Sequence, residues 1–403
     1  MVLLLKETFN LKNMQYFDLA KSEIRQISIG TKQDNINAKI EQKLIEKFLL
    51  ENLNLIEKLY INVKDKLYDD FIGYLKKKKK LIFKINRHEQ IYCSNINKDV
   101  EKIFKYLLYR FKFRTCGTKK IILENPPYIL IEPVSTCNLR CPFCFQTDKS
   151  FTKKPYMGVM KFDLFKKIVD EADEIGVGGI TLASRGEPTL HKNFADMLKY
   201  IHSKKNIYEL KTNTNATFLN EKMCYAILEN NVNSVVISAD HYIKEDYEQL
   251  RVGANFEKVV RNVDLLYSLR KKYYPDSITE IRISGVDYRK NLNRSKFKDF
   301  WIKRSDHVTS SFTLSRWNTY LNNRHPKIND ACELLWDKMY IWFDGKVNPC
   351  DLDYKSYLSY GNVNENTIHN IWKSKIVNKF RSRHLNNQRN KINPCDRCEI
   401  TFK

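Results

Sequence analysis

Two hydrophobic spacings alternate through the middle of the chain, between residues 124 and 315. Short runs of apolar and β-branched residues, such as Ser-Val-Val-Ile-Ser at Ser234–Ser238, are typical of buried strands. The intervening segments have apolar residues every three or four positions, as amphipathic helices do. The predicted strands are Tyr128–Glu132, Gly179–Ala183, Tyr208–Thr212, Ser234–Ser238, Glu280–Ser284 and His307–Leu314. The predicted helices are Phe162–Ile175, Phe194–Ile201, Glu221–Asn230 and Phe256–Lys271.

This alternation predicts an α/β fold with a parallel sheet, because each helix can serve as the crossover between two parallel strands. In such sheets the functional site lies at the C-terminal ends of the strands. Pro126 and Pro127 favour an extended chain just before the first strand. We therefore place a domain boundary between residues 123 and 124.

Residues 1–123 have a less regular pattern and almost no residues with obvious chemistry. Asn35–Asn52 and Lys98–Phe113 carry helical stripes of apolar residues. Leu55–Val63 and Leu81–Ile85 have the composition of strands. We therefore expect an N-terminal accessory α/β domain that serves substrate recognition or packing.

Composition and charge exclude some classes of protein. The chain has 403 residues, is 42% hydrophobic and has a formal net charge of +23, which raises nucleic-acid binding as an alternative. The basic residues are spread along the chain, however, and the block Lys76–Lys80 fits a solvated hairpin or helix end. No apolar run reaches the roughly 18 residues of a membrane span. The start of the chain lacks the pattern of a signal peptide. We expect a cytoplasmic protein with no membrane or nucleic-acid partner.

Three cysteines, Cys137, Cys141 and Cys144, follow the first predicted strand with the spacing C-x3-C-x2-C. Three thiolates in one loop favour a metal or an iron–sulfur cluster over a disulfide, which uses only two. A structural zinc normally needs a fourth ligand, and the loop contains no further Cys or His. A [4Fe-4S] cluster held by three thiolates would leave one iron open to another ligand. A zinc loop or a chance grouping is the alternative.

Four further cysteines near the C-terminus, Cys332, Cys350, Cys395 and Cys398, have the spacing C-x17-C-x44-C-x2-C. Four thiolates fit either zinc or a [4Fe-4S] cluster, and the spacing alone does not name the metal. Cys224 instead fits the buried face of a helix, although a lone cysteine could also donate a hydrogen atom. The sequence thus contains two candidate metal centres.

The cysteine loop resembles that of radical S-adenosylmethionine (SAM) enzymes, including the aromatic Phe143 before the last cysteine. The resemblance implies a partial (β/α)6 TIM-like barrel over residues 124–315 and a [4Fe-4S] cluster whose open iron binds SAM. The C-terminal Gly-Lys-Val-Asn-Pro-Cys, Gly-Asn and Pro-Cys-x-x-Cys elements are similar to the SPASM/Twitch extension of this superfamily. Residues 316–403 would then hold a second, auxiliary [4Fe-4S] cluster. The four-cysteine spacing is similar to that of the 2-deoxy-scyllo-inosamine dehydrogenases of this superfamily.

The resemblance also implies contacts to SAM at successive strand ends. Gly186-Glu187-Pro188 is similar to the element that meets the SAM amino group, with Arg185 where relatives commonly have a second glycine. The other implied SAM-binding residues are Thr212, Asn213, Ser238, Asp240 and Arg251. An arginine fork suits the SAM carboxylate because it can donate two parallel hydrogen bonds. Each of these residues alone would fit a cap, a turn or a surface pair, and it is their order along the chain that favours SAM binding.

The expected reaction begins with reductive cleavage of SAM to a 5′-deoxyadenosyl radical, which takes a hydrogen atom from the substrate. The auxiliary cluster would accept an electron during oxidation or epimerisation of a hydroxylated small molecule such as a sugar, cyclitol or nucleotide sugar. Candidate catalytic residues, chosen by position, are Arg282, Arg185, Asp351 and Asp353. The electron donor would be a flavodoxin- or ferredoxin-type protein. The alternative function is maturation of a ribosomally synthesised precursor peptide by cross-linking or epimerisation.

Overall fold

The computed structural model describes residues 32–60, 65–78, 83–95, 99–312, 319–325 and 328–400. The chain divides into two compact units, and the change from one to the other lies between Thr115 and Cys116. No helix in the described part of the chain is both long enough and apolar enough to span a membrane.

The described residues of the N-terminal unit form helices. Their bounds are Lys32–Glu51 (α1), Leu53–Leu59 (α2), Lys66–Leu75 (α3), Arg87–Asn95 (α4) and Val100–Lys119 (α5). The two helices predicted in this region are confirmed as α1 and α5, the latter continuing past Thr115 into the second unit. The strand predicted at Leu55–Val63 is wrong over residues 55–60, since Leu55 is exposed and Ile56 buried on a helix, and 61–63 lie outside the described residues.

The second predicted strand of this region is also not found. Residues 83–85 of the predicted strand Leu81–Ile85 have no regular structure, and 81–82 lie outside the described residues. The lysine block begins where α3 ends, because Lys76 follows its last turn and pairs with Glu57 at 2.5 Å. Residues 79–80 of that block are not described. In the expected accessory α/β domain, the only regular secondary structure among the described residues is therefore helical.

The second unit contains six parallel strands that alternate with helices, as predicted. The strands are Tyr128–Ile131 (β1), Gly179–Leu182 (β2), Glu209–Thr214 (β3), Ser234–Ser238 (β4), Glu280–Asp287 (β5) and His307–Phe312 (β6). The helices are Phe162–Glu174 (α6), Phe194–His202 (α7), Glu221–Glu229 (α8), Lys244–Leu250 (α9), Phe256–Tyr273 (α10) and Arg294–Trp301 (α11). Each strand pairs in parallel with the next, which is the order of a partial barrel.

The helices begin where side chains can accept the free N–H groups of the first turn. Asn220, Asn255 and Asn293 accept hydrogen bonds from the amides of the first turns of α8, α10 and α11. Alternate strand residues such as Ile129 and Ile131 face the helices and are completely buried. The main core therefore lies between the sheet and its helices and leaves the opposite sheet face to line the barrel interior.

The C-terminal segment extends the same sheet. Its elements are Leu334–Asp337 (α12), Met339–Ile341 (β7), Lys346–Asn348 (β8), Gly361–Asn362 (β9), Ile368–Lys373 (α13) and Lys375–Leu385 (α14). Strand β7 pairs in parallel with β1, while β8 and β9 add antiparallel strands. The nine-stranded sheet thus has β1 between the barrel strand β2 and the C-terminal strand β7.

A buried ion-pair cluster stabilises the N-terminal unit and can be tested by mutation. The carboxylate of Glu89 is fully buried and pairs with Arg110 at 2.7 Å and with Arg114. Replacing Glu89 with Ala should destabilise the unit by about 3–5 kcal/mol, because two guanidinium groups lose their buried partner. Hydrogen exchange of the amides in α4 and α5 would measure the loss.

The partly exposed pair Glu101–Lys105 on α5 supplies the control. Glu101→Ala should cost less than about 1 kcal/mol, because a solvated ion pair contributes little. Equal loss of protection in the two variants would contradict the account.

Candidate functional site

The loop after β1 brings the three predicted cysteines together. Cys141 is 6% exposed, and the amide of Cys144 donates to the carbonyl of Cys141 at 3.0 Å. Burial raises the pKa of the Cys137 thiol to about 11 and that of Cys144 to about 12, and the neighbouring thiols add to both shifts. At neutral pH these thiols hold their protons, so a bound cluster must displace them.

N–H groups point at the sulfur atoms of this loop. The amide of Leu139 donates to Cys137 Sγ at 3.4 Å, and Asn215 Nδ2 lies 3.8 Å from the same sulfur. Arg251 Nη1 lies 3.7 Å from Cys141 Sγ. Donors of this kind stabilise the sulfur charge of an iron–sulfur cluster, so the donor set fits such a group.

No three Cys, His, Asp or Glu side chains among the described residues surround a point suited to a single metal ion. The three thiolates of a [4Fe-4S] cluster each bind a different iron, whereas the ligands of zinc converge on one ion.

Gly186 packs its backbone directly against the start of the cysteine loop. A Cβ atom at this position would lie 2.2 Å from the carbonyl oxygen of Val134 and 2.4 Å from that of Thr136. The amide of the next residue, Glu187, donates to the Thr136 carbonyl at 2.9 Å. A glycine is therefore required here because any side chain would push the two loops apart. Pro188 follows and begins a short, buried 3-10 turn.

The Glu187 carboxylate is buried and held by donors from two neighbouring segments. Its Oε1 accepts from the Thr189 amide at 3.3 Å, the Thr189 hydroxyl at 2.5 Å and the Thr214 hydroxyl at 2.6 Å. Its Oε2 accepts from the Asn215 amide at 2.7 Å. Burial raises the pKa of Glu187, and the four donors oppose that shift. Oε2 retains capacity for one further donor, since a carboxylate oxygen accepts about two hydrogen bonds.

The polar groups at the end of β3 are Thr214 and Asn215, two residues beyond the predicted pair. The strand runs to Thr214 instead of ending at Thr212. Thr212 is buried within the sheet, where its hydroxyl donates to the Leu182 carbonyl at 2.9 Å. Asn213 lies on the opposite face of the strand and is exposed. The sequence Thr-Asn-Thr-Asn at residues 212–215 contains the Thr-Asn pair twice, and it is the second pair that lies at the end of the strand.

Asp240 and Arg251, both predicted to contact SAM, contact each other. Arg251 Nε lies 2.5 Å from Asp240 Oδ2, and the amide of Val286 donates to Asp240 Oδ1 at 2.8 Å. The Arg251 guanidinium also lies over the ring of Phe143, at 5.6 Å from its centroid. Phe143 in turn packs against Tyr288, which sequence reasoning missed. This arrangement brings four strand ends to one cysteine loop.

The other predicted residue on β4, Ser238, is partly buried and lies beside Ser284 of β5. Arg282 lies on β5, in register with Val236 and His307, and is 3% exposed. Both therefore belong to strands of the barrel.

Arg185, a predicted catalytic residue, is a buried link between the barrel and the C-terminal segment. Its Nε and Nη2 each lie 2.5 Å from a carboxylate oxygen of Glu132, and its Nη1 donates to the Tyr354 carbonyl at 2.8 Å. The guanidinium also lies 4.4 Å from the centroid of Trp342. These contacts occupy all three of its nitrogen atoms, so its geometry fits a positioning role better than a catalytic one.

The two predicted catalytic aspartates differ in environment. Asp353 is completely buried, accepts from the Tyr320 hydroxyl at 2.8 Å and from the amides of Tyr357 and Leu358 at 2.9 and 2.7 Å. Burial raises the pKa of Asp353 to about 6. The two amide contacts stabilise the turn that follows Asp353. Asp351 is partly buried and follows Cys350 directly.

The four C-terminal cysteines form a second group. Burial raises the pKa of all four thiols, to about 12 for Cys332, and the charges of the other cysteines add to the shift in each of Cys332, Cys350 and Cys395. The amide of Cys398 donates to the carbonyl of Cys395 at 3.4 Å, so this pair lies on one turn. The nearby guanidinium of Arg389 opposes the shift in Cys332, Cys395 and Cys398.

Sequence reasoning missed two residues of this second group. Arg389 is 1% exposed and donates to the carbonyl of Ile400 at 2.6 Å. His384 is also buried, and its Nδ1 accepts from the Cys332 amide at 3.3 Å. Neither stands in a motif, although both lie in the basic stretch before the last cysteine pair.

The chain after Cys350 packs on the chain after Cys144. Tyr354 stacks on Phe145 with ring centroids 5.1 Å apart, and its hydroxyl donates to Asp148 at 2.9 Å. Lys355 pairs with the same carboxylate at 2.7 Å. The segments that follow the two cysteine groups are therefore in direct contact.

Gly186 provides a test of the loop packing. Gly186→Ala should prevent the cysteine loop from closing, because its Cβ would overlap backbone oxygen atoms that cannot move independently. We expect iron bound to the first cysteine group, and SAM binding, to fall at least tenfold in anaerobically reconstituted protein. Gly176→Asn is the control, since nothing lies within 4 Å of a Cβ at Gly176 and asparagine tolerates its positive φ. Unchanged iron and SAM binding in Gly186→Ala would contradict the account.

Arg185 and Glu132 can be tested by a double-mutant cycle. Arg185→Met should reduce stability by about 3–5 kcal/mol, because Glu132 would remain buried without its partner. Adding Glu132→Gln should restore part of that loss, since a neutral amide costs less to bury. Denaturant unfolding measures the interaction energy. An energy near zero would show that the pair does not stabilise the fold.

Family models match both cysteine regions. The model of the radical SAM superfamily matches residues 131–285, and the model of the SPASM iron–sulfur cluster-binding domain matches residues 332–399.

Several curated relatives align with this chain over most of their own length. The tungsten-containing aldehyde ferredoxin oxidoreductase cofactor-modifying protein of Pyrococcus furiosus is 37% identical over 306 residues, which cover 63% of this chain and 83% of the relative. The cysteine-type anaerobic sulfatase-maturating enzyme of Clostridium novyi is 27% identical over 64% of this chain and 82% of its own. The SAM-dependent 2-deoxy-scyllo-inosamine dehydrogenase of Niallia circulans is 25% identical over an alignment that covers 67% of this chain and 91% of the relative.

Solved structures share the fold. The structure of anSMEcpe with bound AdoMet has a TM-score of 0.51 at 20% identity and covers 68% of this chain and 88% of its own. Streptococcus suis SuiB bound to its precursor peptide SuiA has a TM-score of 0.50 at 16% identity, covering 84% and 83%. The expected partial barrel is confirmed. The cofactors of this family are a SAM-binding [4Fe-4S] cluster, SAM and auxiliary iron–sulfur clusters. This chain belongs to the radical SAM superfamily and carries a C-terminal SPASM domain.

Proposed function

We propose that this enzyme oxidises or epimerises a hydroxylated small molecule, such as a sugar, cyclitol or nucleotide sugar. The observation that carries the proposal is the direct contact, through Phe145 and Tyr354, between the segment after Cys144 of the first cysteine group and the segment after Cys350 of the second. When bound, the reduced first cluster and SAM supply the 5′-deoxyadenosyl radical that removes a hydrogen atom from the substrate. Loss of a proton and an electron then converts the alcohol to a ketone.

In this proposal Cys137, Cys141 and Cys144 hold the SAM cluster. Glu187 orients the SAM amino group through the remaining acceptor capacity of its Oε2. Arg251 and the carboxylate of Asp240 hold each other beside Cys141. Either Arg251 reaches the SAM carboxylate by turning a nitrogen toward it, or it stays on the sulfur and stabilises its charge.

The remaining predicted SAM residues keep supporting roles in the proposal. Gly186 and Pro188 shape the loop that carries Glu187, and Phe143 covers Arg251. Asn213 and Ser238 lie on strands that line the barrel and can contact SAM or substrate from there. Thr212 is replaced in this role by Thr214, whose hydroxyl holds Glu187.

The second cysteine group would hold the auxiliary cluster, which when bound would supply an acceptor for the substrate electron. The residues of this group are Cys332, Cys350, Cys395 and Cys398. A proton acceptor is also needed. Among the candidate residues we assign this task to Asp351, which is partly buried and follows Cys350 directly. Asp353 and Arg185 stabilise the fold through buried contacts. In this proposal Arg282, which is buried on β5 of the barrel, donates a hydrogen bond to a substrate oxygen.

We further propose three segments, 1–123, 124–315 and 316–403, as accessory domain, catalytic barrel and cluster domain. The electron donor in this scheme is a flavodoxin- or ferredoxin-type protein. A second candidate function is maturation of a precursor peptide, supported by the likeness to the sulfatase-maturating relative. In that case the barrel would admit a peptide segment in place of a small molecule.

The test is anaerobic reconstitution with iron and sulfide, then incubation with SAM and dithionite. We expect about eight irons per chain and formation of 5′-deoxyadenosine. A substrate screen that includes sugars, cyclitols and short peptides then separates the two functions. Turnover of a hydroxylated small molecule to a ketone or an epimer supports the first, and modification of a peptide alone would replace it with the second.

Single cysteine substitutions assign the two clusters. Cys137→Ala should lose about four irons and all 5′-deoxyadenosine, whereas Cys350→Ala should lose about four irons yet still cleave SAM. Cys224→Ala serves as the control and should keep both clusters, since Cys224 belongs to neither cysteine motif and is buried on α8, where its Sγ lies 3.9 Å from the Leu219 carbonyl oxygen. Iron analysis and chromatography of the nucleoside provide the readouts. Loss of SAM cleavage in Cys350→Ala with the first cluster intact would contradict the assignment.

A further inference from the structure

A layer formed by two neighbouring loops covers part of the cysteine loop, whose residues Asn138 and Arg140 remain exposed. The amide of Arg140, within the loop, donates to the carbonyl of Val252 at 2.9 Å. The next residue, Gly253, lies so close that a Cβ there would be 3.2 Å from the Asn138 carbonyl oxygen. Asn138 Nδ2 donates to the Thr217 hydroxyl at 3.1 Å. Two surface loops, 216–218 and 252–253, are therefore bound directly to the loop that holds the thiols.

This layer also gives a short bonded route from the surface to a cluster sulfur. A hydrogen bond joins the Val252 carbonyl to Arg140, and the preceding residue, Leu139, donates its amide to Cys137 Sγ at 3.4 Å. The Arg140 guanidinium donates to the Cys137 carbonyl at 2.7 Å. Two hydrogen bonds and one peptide unit thus connect an exposed residue with the thiol.

The outer surface of the layer has an exposed apolar centre. Val252 is 46% exposed and Phe218 is 42% exposed, and each lies on one of the two loops. Asn262 Nδ2 donates to the carbonyl of Ala216 at 2.7 Å, so the first turns of α10 adjoin the Phe218 loop. A small apolar centre with a polar rim is the composition of a transient protein interface.

The rim of this surface is positively charged. Lys258 and Arg261 lie one turn apart on the same side of α10, and both are exposed. The Lys258 ammonium lies 5.5 Å from the centroid of the Phe218 ring. Arg140 adds a third exposed cation. The acidic residue that precedes Lys258, Glu257, is paired with Lys244 at 2.6 Å, which reduces its effect on the surface.

We propose that this electron-entry surface, formed by Arg140, Phe218, Val252, Lys258 and Arg261, docks an acidic one-electron carrier protein. The proposal rests on the proposed function, in which the first cluster must be reduced before SAM is cleaved. In the docked complex the carrier loses one electron and the cluster gains one, so the step needs no other reactant. Opposite charge speeds the encounter of two proteins and fixes their orientation. The carrier is placed on this surface because the hydrogen bonds described above connect the surface with Cys137.

The test uses charge reversal on α10, away from the cysteine loop. The variant is Lys258→Glu/Arg261→Glu, and its matched control is Lys271→Glu/Lys272→Glu near the other end of the same helix. Both control residues are exposed and lie over tyrosine rings, Lys271 at 4.0 Å and Lys272 at 4.8 Å from the centroids. Each variant replaces two positively charged side chains with two negatively charged ones, so the two variants change the net charge equally.

The probe is an acidic flavodoxin, reduced photochemically, and the readout is the rate of 5′-deoxyadenosine formation against flavodoxin concentration. For Lys258→Glu/Arg261→Glu we expect the apparent KM for flavodoxin to rise about tenfold and its salt dependence to weaken. The rate with dithionite should stay unchanged, because a small reductant needs no docking surface. The control should keep the KM of the unaltered chain.

Three results of the kinetic assay would overturn the proposal. An unchanged KM in Lys258→Glu/Arg261→Glu would place the docking surface elsewhere, and an equal rise in the control would show a general charge effect. A lower rate with dithionite in this variant alone would show damage to the cluster. If the unaltered chain forms no 5′-deoxyadenosine even with dithionite, the proposed function fails as well, and the flavodoxin arm is then replaced by direct binding of flavodoxin to the two variants by calorimetry. Equal affinity there would overturn the docking proposal by itself.

Discussion

The close approach of Gly186 to the backbone at Val134 and Thr136 is the contact on which the rest of the site depends. It fixes the distance between the ends of β1 and β2, and therefore between the cysteine loop and Glu187. Strand β1 also pairs with β7, so the same strand positions both the barrel loop and the C-terminal segment. Arg185 secures this junction from the side, since it binds Glu132 just after β1 and the carbonyl of Tyr354 in the C-terminal segment.

Buried charge explains how the two cysteine groups can hold clusters. Burial disfavours the thiolate at every one of the seven cysteines, as their raised pKa values indicate. Each group therefore needs nearby positive charge or N–H donors, and each has a largely buried arginine near a sulfur atom: Arg251 beside Cys141 and Arg389 beside Cys398. Arg251 is balanced by a buried carboxylate at 2.5 Å, whereas Arg389 pairs with Asp330 at 3.3 Å. The second site thus keeps its positive charge less neutralised.

The strands of the barrel could be predicted to within a few residues, because burial on both faces leaves a continuous apolar run such as Ser234–Ser238. The cysteine groups could be found from spacing alone. The end of β3 was missed by two residues, since polar Thr-Asn-Thr-Asn carries no hydrophobic signal. The role of Arg185 could not be predicted either, because its partners Glu132 and Trp342 are distant in sequence and only the fold brings them together. Helices α13 and α14 are separated at Ser374, whose backbone is extended and whose side chain accepts from the Val377 amide, so α14 begins there as a new helix.

Electron paramagnetic resonance of the reduced, reconstituted protein tests the central claim most directly. The account predicts two [4Fe-4S] signals, of which one changes shape when SAM is added, because SAM can bind only the cluster with an open iron. That SAM-sensitive signal should vanish in Cys141→Ala, while the other remains. A single signal, or two signals that both ignore SAM, would contradict the claim that this chain binds one SAM-competent and one auxiliary cluster.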